Sequence, residues 1–338
     1  MPWHDLGLIR RALRRLPAIT KTWTATSAIA GCLLATAAFA QPYPSKPIML
    51  ILPFPAGSGI DVTARLVADQ LGAKLGQPVV VENKAGANGA IAATYVARSA
   101  PDGYTLFMTT NSTHSANPWL LKNISYDPIN DFTPIARMGN LPFIMVVNAK
   151  LGVRTFAEFV AYARARPGKL TYATSNATGV IGAATVSRLS GLELVQVPYT
   201  SAPQAMQDML RGDIAMMFVD YASGLPHVQA GSIIALTVTT ANRSPLLPDV
   251  PSMKEVGLPE FDMNSWNAIF APAKTPPAIV NTLNRALRAI IDDPKVREKM
   301  RQYGFDAFSS SPQELDAFVR DELEKWRKWI REAKIEPQ

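Results

Sequence analysis

From Pro47 onward, short apolar runs alternate with segments of helical period, and this alternation limits the fold more than any other feature of the chain. "IMLIL" leads into a helix-period segment ending at Gly76, then come "VVVEN", a glycine-rich turn with "AIAATYVARSA", and "YTLFMTT". Continuous Val, Ile and Leu runs without polar alternation belong to strands buried on both faces, so the order predicts a parallel sheet covered by helices. In the first helix Ala64, Val67, Ala68, Leu71 and Leu75 share one face, with Thr63, Asp69, Gln70 and Lys74 elsewhere. Gly76 fits a left-handed cap.

A second block of the same kind starts at "PFIMVV", Pro142 to Val147. Thr155 to Glu158 spells a capping box, and Pro167-Gly168 stops the helix it opens. "LTYATS" reads as a strand, "NATG" opens the helical stretch "VIGAATVSRLSG", and "LELVQVPY" is the next strand. Ser201 to Gln204 gives another capping box ahead of the strand "IAMMFVD". After "IIALTVTT", a proline-rich segment and the strand-like "WNAIFAP", two helices close the chain, one started by Thr275-Pro276 and the other by Ser311-Pro312-Gln313-Glu314. Leu315, Phe318, Val319, Leu323, Trp326 and Ile330 lie near helical spacing, which predicts a terminal helix that clamps onto its own domain.

The first 40 residues obey a different logic. Arg10, Arg11, Arg14, Arg15 and Lys21 precede the apolar run "AIAGCLLATAAFA", and Ala38-Phe39-Ala40 is a small-x-small cleavage site. A signal peptide over residues 1–40 and a start at Gln41 are expected. Ile29-Ala30-Gly31-Cys32 has lipobox character, but most of the apolar run follows Cys32 instead of preceding it. Cleavage removes five basic residues and Asp5, lowering the formal charge from +7 to +3. The basic balance belongs to the leader, so no nucleic-acid partner is expected. Cys32 is the single cysteine, so the fold must hold through its core without disulfides. A soluble, extracytoplasmic product is expected.

Past residue 40 the histidines are His114 and His227, and neither a metal-ligand cluster nor a calcium loop occurs, so no metal and no cofactor are expected. Ser58 sits on a strand-to-helix turn, but Ala56-Gly57-Ser58-Gly59 misses the Gly-x-Ser-x-Gly nucleophile elbow by one residue. His114 can fix its own loop, and His227 reads as a loop histidine after a helix. Gly86 and Gly89 lack the tight Gly-x-Gly turn of a dinucleotide site and read as a close connection. Small-anion binding asks for less: backbone N–H groups at helix N-termini behind small residues. Two turns qualify, "PFPAGSGID" with Gly57, Ser58 and Gly59, and "SNATG" from Ser175 to Gly179. Asp61 is expected to face sideways as a first-turn charge. Asp220, ending its strand, can either meet a ligand or brace the cleft.

Taken together, "YPSKPIMLILPFPAGSGIDVTARLVADQL", "VVVENKAGANGAIAA", "APDGYTLFMTTNSTHSANP", "VQVPYTSAPQAMQDMLRGDIAMMFVD", "LPHVQAGSIIALTVTTANRSPLLPDVPSMKEVGLPEF" and "FAPAKTPPAIVNTLNRAL" resemble the Bug family, the periplasmic solute receptors of tripartite tricarboxylate transporters. The resemblance runs over nearly all of residues 43–330. It implies an α/β fold of the type II periplasmic binding protein kind: two α/β domains, 41–141 plus 265–338 and 142–264, with a hinge and a ligand cleft between them. It implies a small carboxylate ligand (dicarboxylate, tricarboxylate, amino acid or aromatic acid), held by the turn Phe54, Pro55, Ala56, Gly57, Ser58 and Gly59. The matching turn is Ser175, Asn176, Ala177 and Thr178. Asn111, Ser112, Thr113 and His114, with Tyr199, Thr200, Ser201 and Asp220, are the further cleft residues it implies. Many members carry a histidine after the second turn, and this chain has none there. The implied partners are membrane components of such a transporter or a sensor protein, and a monomer is expected. The alternative is an exported serine hydrolase using Ser58.

Overall fold

The computed structural model describes residues 43–259, 261 and 263–337. The expected signal segment, with Cys32 and the cut after Ala40, lies outside the described residues. The first half contains β1 (Ile48–Leu52), α1 (Gly59–Leu75), β2 (Val79–Asn83), α2 (Ala90–Ala97) and β3 (Thr105–Thr110), then α3 (Asn117–Leu120) and β4 (Phe132–Leu141). The second block runs β5 (Phe143–Asn148), α4 (Phe156–Arg164), β6 (Leu170–Thr174), α5 (Ala177–Ser190), β7 (Leu194–Pro198), α6 (Ala202–Arg211), β8 (Met216–Asp220), α7 (Tyr221–Gln229) and β9 (Ile233–Val238). The chain then supplies β10 (Ser265–Pro272), α8 (Pro277–Ile291), α9 (Pro294–Gln302), β11 (Asp306–Ala307) and α10 (Pro312–Glu332).

These strands form two sheets, ordered β11-β4-β10-β3-β1-β2 and β7-β6-β8-β5-β9. The expected parallel pairing holds for β1 with β2 and β3, and for β6 with β7 and β8. Neither sheet is wholly parallel, which corrects the sequence reading. β4 passes into β5 with only Pro142 between them, so one extended segment leaves the first sheet and enters the second. There is no room in one residue for a helical crossover. β5 therefore runs antiparallel to β8 and β9, and β10, returning, runs antiparallel to β3 and β4. β5, β8 and β10 are buried along their whole length, as the unbroken apolar runs require.

Local signals decided most helix ends. Gly76 caps α1 at φ 71°, and both Thr155 with Glu158 and Ser311 with Glu314 close full capping boxes. Ser201 accepts from the Gln204 amide, but the Gln204 side chain accepts from Thr200 Oγ1, so that box is half made. Thr275 does not cap α8: its hydroxyl turns back to the Pro272 carbonyl at 2.8 Å. Thr63 is buried, against its expected polar side, because its hydroxyl donates to Gly59 and Ile60 carbonyls and accepts from Asn267 at 3.2 Å. A satisfied hydroxyl costs little to bury.

The terminal helix docks as expected. Leu315, Val319, Trp326 and Ile330 are buried, and Leu315 and Val319 join the cluster of Ile51, Phe107, Trp266 and Phe270. Buried Glu322 accepts from the indoles of Trp266 at 3.2 Å and Trp326 at 3.1 Å.

Candidate functional site: a two-compartment cleft

The first turn leaves β1 at Leu52 and enters α1 at Gly59. Gly57 sits at φ +82°, a left-handed position that glycine takes freely. Its amide donates to Asp61 Oδ2 at 3.0 Å, and Asp61 also accepts two bonds from Arg65 and one from Asn83 Nδ2. Burial alone would raise the Asp61 pKa, but the bonds from Arg65, Gly57 and Asn83 outweigh it and hold the carboxyl below its ordinary value. Asp61 thus faces sideways, as expected. Ser58 is the N-cap residue of α1, yet its hydroxyl donates to the Pro55 carbonyl at 2.7 Å and its amide to the same oxygen at 3.3 Å.

The second turn leaves β6 and enters α5 through Ser175 and Asn176. Asn176 Oδ1 accepts from the Gly179 amide at 2.9 Å, a side-chain cap in the ordinary sense. The Ala177 amide donates to Ser112 Oγ at 3.3 Å, and Thr178 Oγ1 accepts from Asn111 Nδ2 at 3.0 Å. Asn111 also accepts from the Ser265 hydroxyl. The end of β3 is therefore laced to the start of α5.

Phe54, Ser175 and Asn176 line two adjoining compartments. The inner one, about 40 Å³, is also walled by Pro55, Ser58, Gly59, Ser112, Thr178, Ser201 and Asp220. The outer one, about 350 Å³, has Tyr199 and Thr200 on its wall and is of the size that takes a small organic molecule. Of the residues the sequence singled out, Ala56 and Gly57 are exposed on the turn and line neither compartment. Asn111, Thr113 and Ala177 are buried behind the wall.

His114 departs furthest from its expected place in the cleft. It is fully buried in a helical turn, Ser112–Ala116, with its ring stacked on Phe270 at 4.2 Å and tilted against Phe132 at 4.7 Å. Nδ1 bonds Thr113 Oγ1 at 3.0 Å, and burial pushes its pKa down to about 3. His227 lies in the last turn of α7, a helix where a loop was expected. Neither imidazole lines a compartment.

Over residues 63–335 the chain matches the family model described as the tripartite tricarboxylate transporter family receptor. The chain belongs to that family. Protein BugT of Bordetella pertussis is 35% identical over 316 residues, covering 90% of this chain and 96% of its own. Among solved structures, R. palustris Rpa4515 with adipate superposes with a TM-score of 0.85 at 33% identity, covering 88% of this chain and all of that one. MatC from Rhodopseudomonas palustris with bound malate gives 0.80 at 29% identity, over 85% of this chain and all of that one. The fold is accordingly that of a periplasmic solute-binding protein with two α/β halves.

One wall of this receptor's outer compartment is the turn expected only to be a close connection. Gly86, Ala87, Asn88 and Gly89 have φ of 129°, 46°, 49° and 86°, four left-handed residues in a row. Ala87 and Asn88 cost about 1 to 3 kcal/mol each in such positions. Asn88 is held there by Asn117, which it meets through Nδ2 at 2.7 Å and through its carbonyl at 3.1 Å. The flanking glycines were the available signal. Gln196, from β7, and Ile335 and Glu336, beyond α10, complete the wall without any local signature.

Proposed function

We propose that this receptor is an exported, non-enzymatic protein that captures a small organic carboxylate in the cleft. The ligand class spans dicarboxylates, tricarboxylates, amino acids and aromatic acids, with delivery to membrane components of a tripartite tricarboxylate transporter or to a sensor. The observation that carries the reading is the convergence of the α1 and α5 N-termini on one cleft whose outer compartment has the volume of a small acid. Helix N-termini favour negative charge. Adipate and malate in two similar structures support the carboxylate assignment.

In this reading residues 41–141 with 265–338 form one lobe and 142–264 the other, and closure pivots on the β4–β5 passage and the segment leading into β10. The turn residues Phe54, Pro55, Ser58, Gly59, Ser175, Asn176 and Thr178, with Ser112, Tyr199, Thr200 and Ser201, are the contact residues, and the protein acts as a monomer after cleavage at Ala40. Hydrolysis through Ser58 is disfavoured, because its hydroxyl is given to Pro55 and no histidine among the described residues lines the cleft.

A thermal-shift screen of residues 41–338 against organic acids tests this. An acid at about 100 times its Kd adds about 2.7 kcal/mol to the folded state and raises Tm accordingly. A folded protein whose Tm no acid moves, or one that turns over esters and loses that turnover with Ser58→Ala, would remove the reading.

A further inference from the structure

Asp220 ends β8 and caps α7, and its side chain lines the inner compartment. Oδ1 accepts from the Ser223 amide at 2.9 Å and Oδ2 from the Ser223 hydroxyl at 3.1 Å, which is an ordinary N-cap. The same carboxylate also stands against Gly59, the first residue of α1 in the other half of the molecule. A Cβ built on Gly59 would stand 2.7 Å from Oδ1, so only glycine lets the two come this close. Asp220 is 5% exposed.

Among the described residues lining the inner compartment, none is a cation that offsets this charge, and Asp220 is the one ionisable side chain. On α1, Asp61 and Arg65 are paired with each other. β5 and β8 bring no other charge, α5 carries Arg188 in its last turn, α6 carries Asp208 paired with Arg211, and α7 carries Tyr221 next to Asp220 and His227 at its far end. In the outer compartment the ionisable groups are Glu336, a second acid, and Tyr199, which donates to Asp208. An acid that took the Gly59 amide would bring a second negative charge beside Asp220. Two like charges in adjoining positions away from bulk water repel strongly. One proton held between the two carboxylates removes that repulsion, as in other close carboxyl pairs.

We infer that Asp220 is a resident carboxylate beside the α1 N-terminus, a place an incoming acid must share, so that each acid is bound together with one proton drawn from solvent. The inference rests on the carboxylate reading above and adds to it the protonation state of the bound acid. Burial raises the Asp220 pKa, with the bonds from Ser223 working against it, so the residue is biased toward holding that proton.

Isothermal titration with adipate, malate, glutamate and benzoate, each in phosphate and in Tris, counts the proton. Wild type is expected to take up close to one proton per acid bound at pH 7.5, with affinity falling up to tenfold per unit as pH rises from 6 to 8. Asp220→Asn keeps an acceptor for Ser223 and the same shape against Gly59. It is expected to take up none, to show a flat profile, and to bind at least tenfold tighter than wild type at pH 8. Binding without proton uptake, with Asp220→Asn equal to or weaker than wild type, overturns the inference and leaves the receptor reading standing. If that weakening is confined to glutamate, Asp220 is the partner of a ligand ammonium instead. Absence of binding by both folded proteins across the panel removes the carboxylate reading, and this inference with it.

Discussion

Asn111 Nδ2 donates to Thr178 Oγ1 at 3.0 Å, joining the end of β3 in the first sheet to the first turn of α5 beside the second. The same side chain accepts from Ser265, where β10 returns. All three residues are buried. Asn111→Ala leaves two hydroxyls without this partner, and the expected loss is about 1 to 3 kcal/mol. Urea unfolding monitored by tryptophan fluorescence reads it, and a loss within the error of wild type would show that the halves are tied elsewhere.

Gly59 opens a helix, where alanine is ordinarily better than glycine by roughly 1 kcal/mol. Here the opposite is expected, because the added Cβ would meet Asp220 Oδ1 at 2.7 Å and Cγ at 2.8 Å. Gly59→Ala should destabilise by about 1 to 3 kcal/mol, the usual cost of overpacking. Asp220→Ser shortens the neighbour and keeps a helix-capping oxygen. The double variant should then be more stable than the two single losses summed, by about 1 kcal/mol or more. Simple additivity in denaturation would mean that the contact is not made.

What was legible in the sequence was local. β1, α1 and β2 follow from apolar runs and a glycine cap, and the Thr155 and Ser311 boxes span three residues each. β4 was missed because Pro134, Arg137 and Gly139 break its apolar run, and its partner β10 pairs with it through two register shifts. α9 was missed inside a charged stretch, where only Val296 and Met300 are buried. The two candidate turns were visible as small residues before helices, but which groups their amides serve was not. The Gly57 amide goes to Asp61, within reach of a local reading, whereas Gly59 abuts Asp220, far along the chain. His114 was misplaced for the same reason: Phe107, Phe132 and Phe270 come from three different strands.

Glu322 anchors α10 through two indole N–H groups, from Trp266 on β10 and Trp326 on the helix itself. Lys325 Nζ stands 3.6 Å from its other oxygen at the helix surface. Glu322→Leu leaves both indoles without the acceptor inside an apolar cluster. The expected loss is about 2 to 4 kcal/mol, since a buried donor left unpaired costs roughly 1 to 3 each and the added apolar contact returns part. Glu322→Gln retains an acceptor oxygen and should lose less than half as much. A Leu variant as stable as wild type would show that packing alone seats the helix.

His114 links stability to pH. Burial among aromatic rings lowers its pKa to about 3, against 6.5 for an ordinary histidine. Above pH 6.5 the ring is neutral in both the folded and the unfolded chain, so it contributes no pH dependence. As pH falls below 6.5 the unfolded chain binds a proton that the folded chain refuses, and stability is lost at up to about 1.4 kcal/mol per unit until pH nears 3. His114→Phe fits the aromatic cluster and cannot take up that proton. Its unfolding free energy, measured in urea at intervals from pH 7.5 to 4.5, should decline less steeply than that of wild type by up to one proton. Carboxylates such as Asp61 contribute equally to both proteins and cancel in the comparison. Parallel declines would place a charged or solvated His114 in the folded state, contrary to its burial against Phe270.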